Sequence, residues 1–173
     1  MGSMIPILQV VGFKKSGKTT VLEHLVDHCQ QKGYRVGVIK HHGHGGRPDT
    51  IESDQTDTGR LRSQGAYATA VEGEGTLIIH VDSEETILLD QIITLYQQLP
   101  IDIIFIEGYK SNHYPKVVVA ENERDYKELK DNCSHIIASI IRFDPKDSLS
   151  TSFSIEDPKG YCEFIMARIL DRS

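Results

Sequence analysis

Eight consecutive residues, Gly12 to Thr19, read GFKKSGKT and fill the pattern G-x-x-x-x-G-K-[ST] at every required position. Glycine at Gly12 and Gly17 lets the backbone curl until its N–H groups point inward at an anion. A helix beginning at the lysine adds the positive end of its dipole. In such a loop Lys18 reaches the β and γ phosphates of a nucleoside triphosphate, and the Thr19 hydroxyl ligates Mg2+. Lys14 and Lys15 inside the loop add positive charge.

A loop of this kind needs an acid on a second strand to hold the water shell of the metal ion. The apolar run from Ile101 to Ile106 delivers Glu107 to its C-terminal end, where ligands of open α/β sheets gather, whereas Asp102 falls at the opposite end. Asp57, within SDQTDTGR, is a second candidate, in the position where small phosphate-loop enzymes keep a switch residue near Mg2+. Arg60 and Arg62 face different sides of any helix, so one of them at most is expected to neutralise phosphate charge. His41, His42 and His44 form KHHGH. Neighbouring histidines on an extended segment point opposite ways, so contact with a phosphate-bearing ligand, together with Lys40, fits better than a metal centre. His24, His28, His80 and His135 read as structural.

The elements that must position these groups are legible from periodicity. Ile5 to Val11 is an apolar run without alternation, as expected of a strand buried on both faces. Val21, Leu22, Leu25, Val26 and Cys29 then fall on one helical face, and Gly33 supplies a stop. Arg35 to Lys40 reads as the next strand, followed by a Gly- and His-rich loop. Weak helical character follows from Ser53 to Gln64. Ala68 to Glu72 and Thr76 to Val81 form a hairpin through Gly73-Glu74-Gly75, and Thr86 to Leu99 is a helix ended by Pro100. Strands at Lys116 to Ala120 and His135 to Ile141, a helix from Arg124 to Lys130 and a last helix from Pro158 to Leu170 complete the series. The alternation predicts an α/β, three-layer phosphate-loop NTPase fold: a mainly parallel sheet flanked by helices, with an antiparallel hairpin portion.

The bulk properties set limits. The 173 residues suit one nucleotide-binding domain spanning 4–173, with Met1-Gly2-Ser3 an expression remnant before Met4. No apolar stretch approaches a bilayer span and no signal peptide precedes the first strand, so a cytoplasmic protein without membrane attachment is expected. Cys29, Cys133 and Cys162 are odd in number and far apart, and read as small hydrophobes. A net charge of −6 argues against nucleic acid as a partner. Residues 1–50 carry seven Lys or Arg against three Asp or Glu, while residues 51–100 carry two against nine, so an anionic ligand is drawn to the first segment.

GFKKSGKTT, VIKHHGH, SDQTDTGRLRSQGA and FIEGYK, in this order and spacing over most of residues 5–120, resemble the molybdopterin-guanine dinucleotide biosynthesis protein B family. The resemblance implies a GTP-binding homodimer of low intrinsic hydrolysis. Such a protein assists the transferase that attaches GMP to molybdopterin. It further implies that Gly12, Lys15, Ser16, Gly17, Lys18, Thr19 and Thr20 contact phosphates and that Thr19, Asp57 and Glu107 surround Mg2+. His41, His42 and Lys110 would face the same cleft, and pairing of two copies would fall in the strand-rich middle segment. The chain departs from ordinary GTPases in having no NKxD element, so guanine preference rests on the resemblance. A small-molecule kinase or a GTP-dependent metal-insertion chaperone is the alternative, but the first needs an arginine-bearing lid and the second a Cys-His metal pair.

Overall fold

The structure is a computed structural model that describes residues 5–42, 53, 55–144 and 151–171. The chain divides into two compact units, one of residues 1–43 and 92–173 and one of residues 44–91.

The first unit is built on a six-stranded parallel sheet: β1 (Ile7–Gly12), β2 (Val36–Lys40), β5 (Ile103–Glu107), β6 (Lys116–Ala120), β7 (Ile136–Ile141) and β8 (Ser152–Ser154). Their order is β2-β5-β1-β6-β7-β8, with β1 pairing β5 from Ile7 opposite Ile104 and β6 from Gln9 opposite Lys116. Because every pair is parallel, all six C-terminal ends lie along one edge. Strands β5 and β6 are buried at every position, which explains their unbroken apolar sequence between covered faces.

Helices cover both faces. On one side α1 (Lys18–Gln31) and α5 (Pro158–Leu170) set Leu22, Leu25, Cys29, Tyr161, Ile165 and Ile169 against Leu8, Val10, Phe105, Val119 and Ile140. On the other, α4 (Glu123–Asn132) packs Leu129 with Val11, Val118, Ala120 and Ile141. The capping chemistry sets where the later helices begin. Asn122 accepts from the Asp125 N–H ahead of α4, and Asp157 accepts from the Gly160 N–H ahead of α5, with Pro158 opening the first turn. Full burial of a Leu or Ile side chain contributes roughly 1.5–3 kcal/mol, so this two-faced core is the main source of stability.

The second unit holds α2 (Asp57–Ser63) and an antiparallel hairpin of β3 (Ala68–Gly73) and β4 (Thr76–Val81), in register from Ala68 opposite Val81 to Gly73 opposite Thr76. Its turn places Glu74 and Gly75 at φ 51° and 81°, the left-handed pair that a tight hairpin requires. The division between the units falls within α3 (Leu89–Tyr96).

The elements expected from sequence are all present, with shifted bounds: the helical character expected over 53–64 is confined to α2, and the strand expected over 101–106 is displaced to β5. The helix expected over 86–99 is shorter at both ends, and β8 was not foreseen. Among the described residues no helix is long and apolar enough to cross a membrane.

Candidate functional site

Strand β1 ends at Gly12, and only glycine fits there. A β-carbon at this position would lie 2.5 Å from both the Ser16 Oγ and the Val119 carbonyl oxygen. The chain then turns through two left-handed residues, Lys15 at φ 66° and Gly17 at φ 97°. Gly17 caps α1 without any side-chain hydrogen bond, and no acidic residue occupies the first turn. The first N–H groups of the helix are therefore left for an anion.

Ser16 is buried, yet its hydroxyl has no hydrogen-bond partner among the described residues. A buried hydroxyl without a partner costs about 1–3 kcal/mol, so an acceptor such as a phosphate oxygen fits the position. Lys18 folds its ammonium onto the carbonyl oxygen of Phe13 at 2.6 Å. Its pKa is lowered, chiefly by burial; Glu107 opposes the shift, and Lys110 and Lys40 add to it. An anion in the loop would meet a partly desolvated ammonium ion held by one carbonyl. Thr20 is half-buried in the first turn, and Lys14 and Lys15 are exposed.

The acid expected on a second strand is Glu107, the last residue of β5. Its Oε2 lies 3.5 Å from the Thr19 hydroxyl, which donates to it, and 3.5 Å from the Lys40 ammonium at the end of β2. The Glu107 side chain is 12% exposed and that of Lys40 63%, so the carboxylate sits in the wall of the site and the lysine leans in from solvent. A hydroxyl and a carboxylate are hard oxygen donors, the type Mg2+ takes while keeping most of its water. The remaining donors of such an ion would be phosphate oxygens.

The segment after Glu107 is shaped by two polar residues that the sequence reading did not single out. Gln9 and Lys116 face each other in register on β1 and β6, and both are fully buried. The Gln9 amide donates to the carbonyls of Gly108 at 3.1 Å and Tyr109 at 2.8 Å. Lys116 donates its ammonium hydrogens to the carbonyls of Asn112 and Tyr114, and burial lowers its pKa. Together they fix a segment that begins with two left-handed residues, Gly108 at φ 94° and Tyr109 at φ 53°. That path puts the Lys110 ammonium 4.2 Å over the Phe13 ring of the phosphate loop. It also brings the Tyr109 ring to 4.4 Å from that of His41, whose backbone N–H donates to the Glu107 carbonyl at 3.0 Å. The signal for this pair was one polar residue in each of two otherwise apolar central strands.

Asp57 opens α2 in the second unit, where Thr56 caps the helix and the exposed Asp57 carboxylate accepts from Arg60 at 2.5 Å. His42 is exposed beyond the end of β2, and His44 lies outside the described residues. His24 pairs with the Tyr161 hydroxyl, His80 with Asp82 at 3.3 Å, and His135 with the His113 carbonyl at 2.8 Å, as structural histidines do. Asp102, as expected, is at the far end of β5, bound to Arg35.

Comparison with known proteins identifies the scaffold. A family model described as molybdopterin guanine dinucleotide synthesis protein B matches residues 7–142. The chain belongs to this family. It is 42% identical over 137 residues to a Bacillus subtilis protein described as a probable molybdopterin-guanine dinucleotide biosynthesis adapter protein, covering 79% of this chain and 76% of the relative. It is 27% identical over 143 residues to the Haemophilus influenzae molybdopterin-guanine dinucleotide biosynthesis adapter protein, covering 83% and 78%. Its fold superimposes on the crystal structure of Bacillus subtilis MobB with a TM-score of 0.81 at 36% identity, over 95% of this chain and 98% of that one. The matched span takes in the phosphate loop, Lys40, Glu107 and the Gln9–Lys116 pair, and so the whole of this family member's described site.

Proposed function

We propose that this protein binds GTP with Mg2+, hydrolyses it slowly, and acts as the adapter through which a nucleotidyltransferase converts molybdopterin to its guanine dinucleotide form. The observation that carries the proposal is the buried, unpartnered Ser16 hydroxyl in a loop whose Gly12 admits no side chain, next to Lys18 and the Thr19–Glu107 pair. Each of these features is satisfied by a phosphate chain with a magnesium ion, which would neutralise charge on the β and γ groups. Gly12, Ser16, Gly17 and Thr20 surround the phosphates, Lys18 reaches the outer two, and Thr19 and Glu107 face the metal. Slow turnover fits a Glu107 carboxylate already held by Lys40 and Thr19 rather than free to position water.

The adapter role draws on the family and on what the Haemophilus influenzae relative is called. Nucleotide state would set the surface presented around Lys40 and Glu107, and the transferase would read that surface. The protein works as a homodimer joined through the hairpin. Val71, Leu77, Ile78 and Ile79 remain exposed there, Ile79 by 59%, and a two-stranded ribbon is marginal in water until another surface covers it. Capture of the transferase by immobilised protein, with GTP, with GDP and with no nucleotide, tests the adapter reading. Capture should differ between the three states, and equal capture in all three would refute it.

A further inference from the structure

Arg142 has no part in the site described so far, yet it lies against the phosphate loop. It follows β7 directly, and its backbone N–H donates to the Ala120 carbonyl at 3.1 Å. A β-carbon built on Gly17 would meet Nη2 of Arg142 at 3.0 Å, its Nε at 3.4 Å, and Cδ1 of Ile155 at 2.9 Å. The guanidinium and the Ile155 methyl therefore flank the residue that caps α1. Among the described residues no hydrogen bond or ion pair engages the guanidinium, and Arg142 is exposed.

The sheet order gives the site a direction. Glu107 and Lys40 end β5 and β2, which lie on one side of β1, while β6, β7 and β8 lie on the other. A phosphate chain whose outer end meets Thr19 and Glu107 leaves the loop past Gly17 toward β7 and β8. Among the described residues, the groups against Gly17 on that side are Arg142, after β7, and Ile155, after β8.

We propose that Arg142 is the platform for the purine base: its planar guanidinium stacks on the ring, and Ile155 supplies the apolar contact beside it. Guanidinium planes stack on aromatic faces as well as carrying charge, which an ammonium group cannot reproduce. The inference rests on the nucleotide-binding reading and adds a nucleoside subsite to it.

Calorimetric titration of the full chain in Mg2+ with GTP, GDP and inorganic tripolyphosphate separates the two claims. Arg142→Ala should weaken GTP and GDP by about three- to thirtyfold, the range expected of a stacked guanidinium, and leave tripolyphosphate unchanged. Arg142→Lys, which keeps the charge and loses the plane, should behave like Arg142→Ala. An equal loss for tripolyphosphate, or full rescue by lysine, would make Arg142 a phosphate contact and overturn the platform. Unchanged GTP affinity in Arg142→Ala would overturn it while leaving nucleotide binding intact. Failure of the unsubstituted protein to bind either ligand would overturn both. Thermal melting of each variant checks that this exposed position leaves the fold unaltered.

Discussion

The Thr19 hydroxyl donates toward the Glu107 carboxylate across 3.5 Å, linking the first turn of α1 to the end of β5, 88 residues later in the chain. Neither residue is next to the other in sequence; adjacent parallel strands bring them together. The distance is at the long limit for a hydrogen bond.

Glu107→Gln keeps the shape and removes the charge, so it should weaken the dependence of GTP affinity on Mg2+ more than it weakens binding in EDTA. Titrating Mg2+ at fixed GTP for both proteins reads this directly. An unchanged Mg2+ midpoint would remove Glu107 from the metal shell.

Gly12→Ala forces a methyl group to 2.5 Å from a backbone carbonyl and a buried hydroxyl. Overpacking of this kind costs roughly 1–3 kcal/mol, and β1 would have to shift against β6 to relieve it. A lowered urea midpoint with reduced nucleotide binding is expected, and native stability would show that the strands tolerate the group.

Replacing Lys116 by Met leaves the part-buried Asn112 and Tyr114 carbonyls without their donor, at about 1 kcal/mol each. Hydrogen exchange should quicken in residues 108–115 while α5 keeps its protection. Uniform loosening would assign Lys116 to the core at large.

Asp102 accepts from the Arg35 side chain at 2.8 and 3.0 Å and from its backbone N–H at 2.7 Å, and these bonds draw its pKa from 3.8 down to about 2. A carboxyl group whose folded pKa is depressed stabilises the fold above its unfolded pKa and loses that contribution as pH falls through the folded value. Urea midpoints measured from pH 5 to pH 2 should therefore fall less steeply in Asp102→Asn than in the unsubstituted protein. Identical slopes would mean that the pair, which is largely solvent-exposed, contributes nothing to the acid response.

Ile79→Asp places a charge in the exposed hairpin face. Sedimentation should find a dimer for the unsubstituted protein and a monomer for the variant. A dimer in both would move the pairing surface elsewhere.

Much of this was legible beforehand because it is local. The glycine spacing of the loop, the apolar run before Glu107, the hairpin turn and the helix from Pro158 to Leu170 each carry their signal within a few residues. The short strand β8, Ser-Phe-Ser, does not, since three residues hold no period and only pairing with β7 makes them a strand. Gln9 and Lys116 each stand as one polar residue in an apolar strand, and only the sheet order sets them opposite each other in the interior. The nearness of Arg142 to Gly17 likewise exists only once β7 is placed two strands from β1.

Calorimetric titration of Mg2+–GTP into the unsubstituted protein and into Lys18→Ala tests the central claim most directly. Saturable one-site binding that the substitution weakens by about a hundredfold is the predicted result, the loss of a charge-assisted contact worth roughly 1.5–3 kcal/mol per hydrogen bond. Absence of binding to the unsubstituted protein, or equal affinity in both, would contradict it.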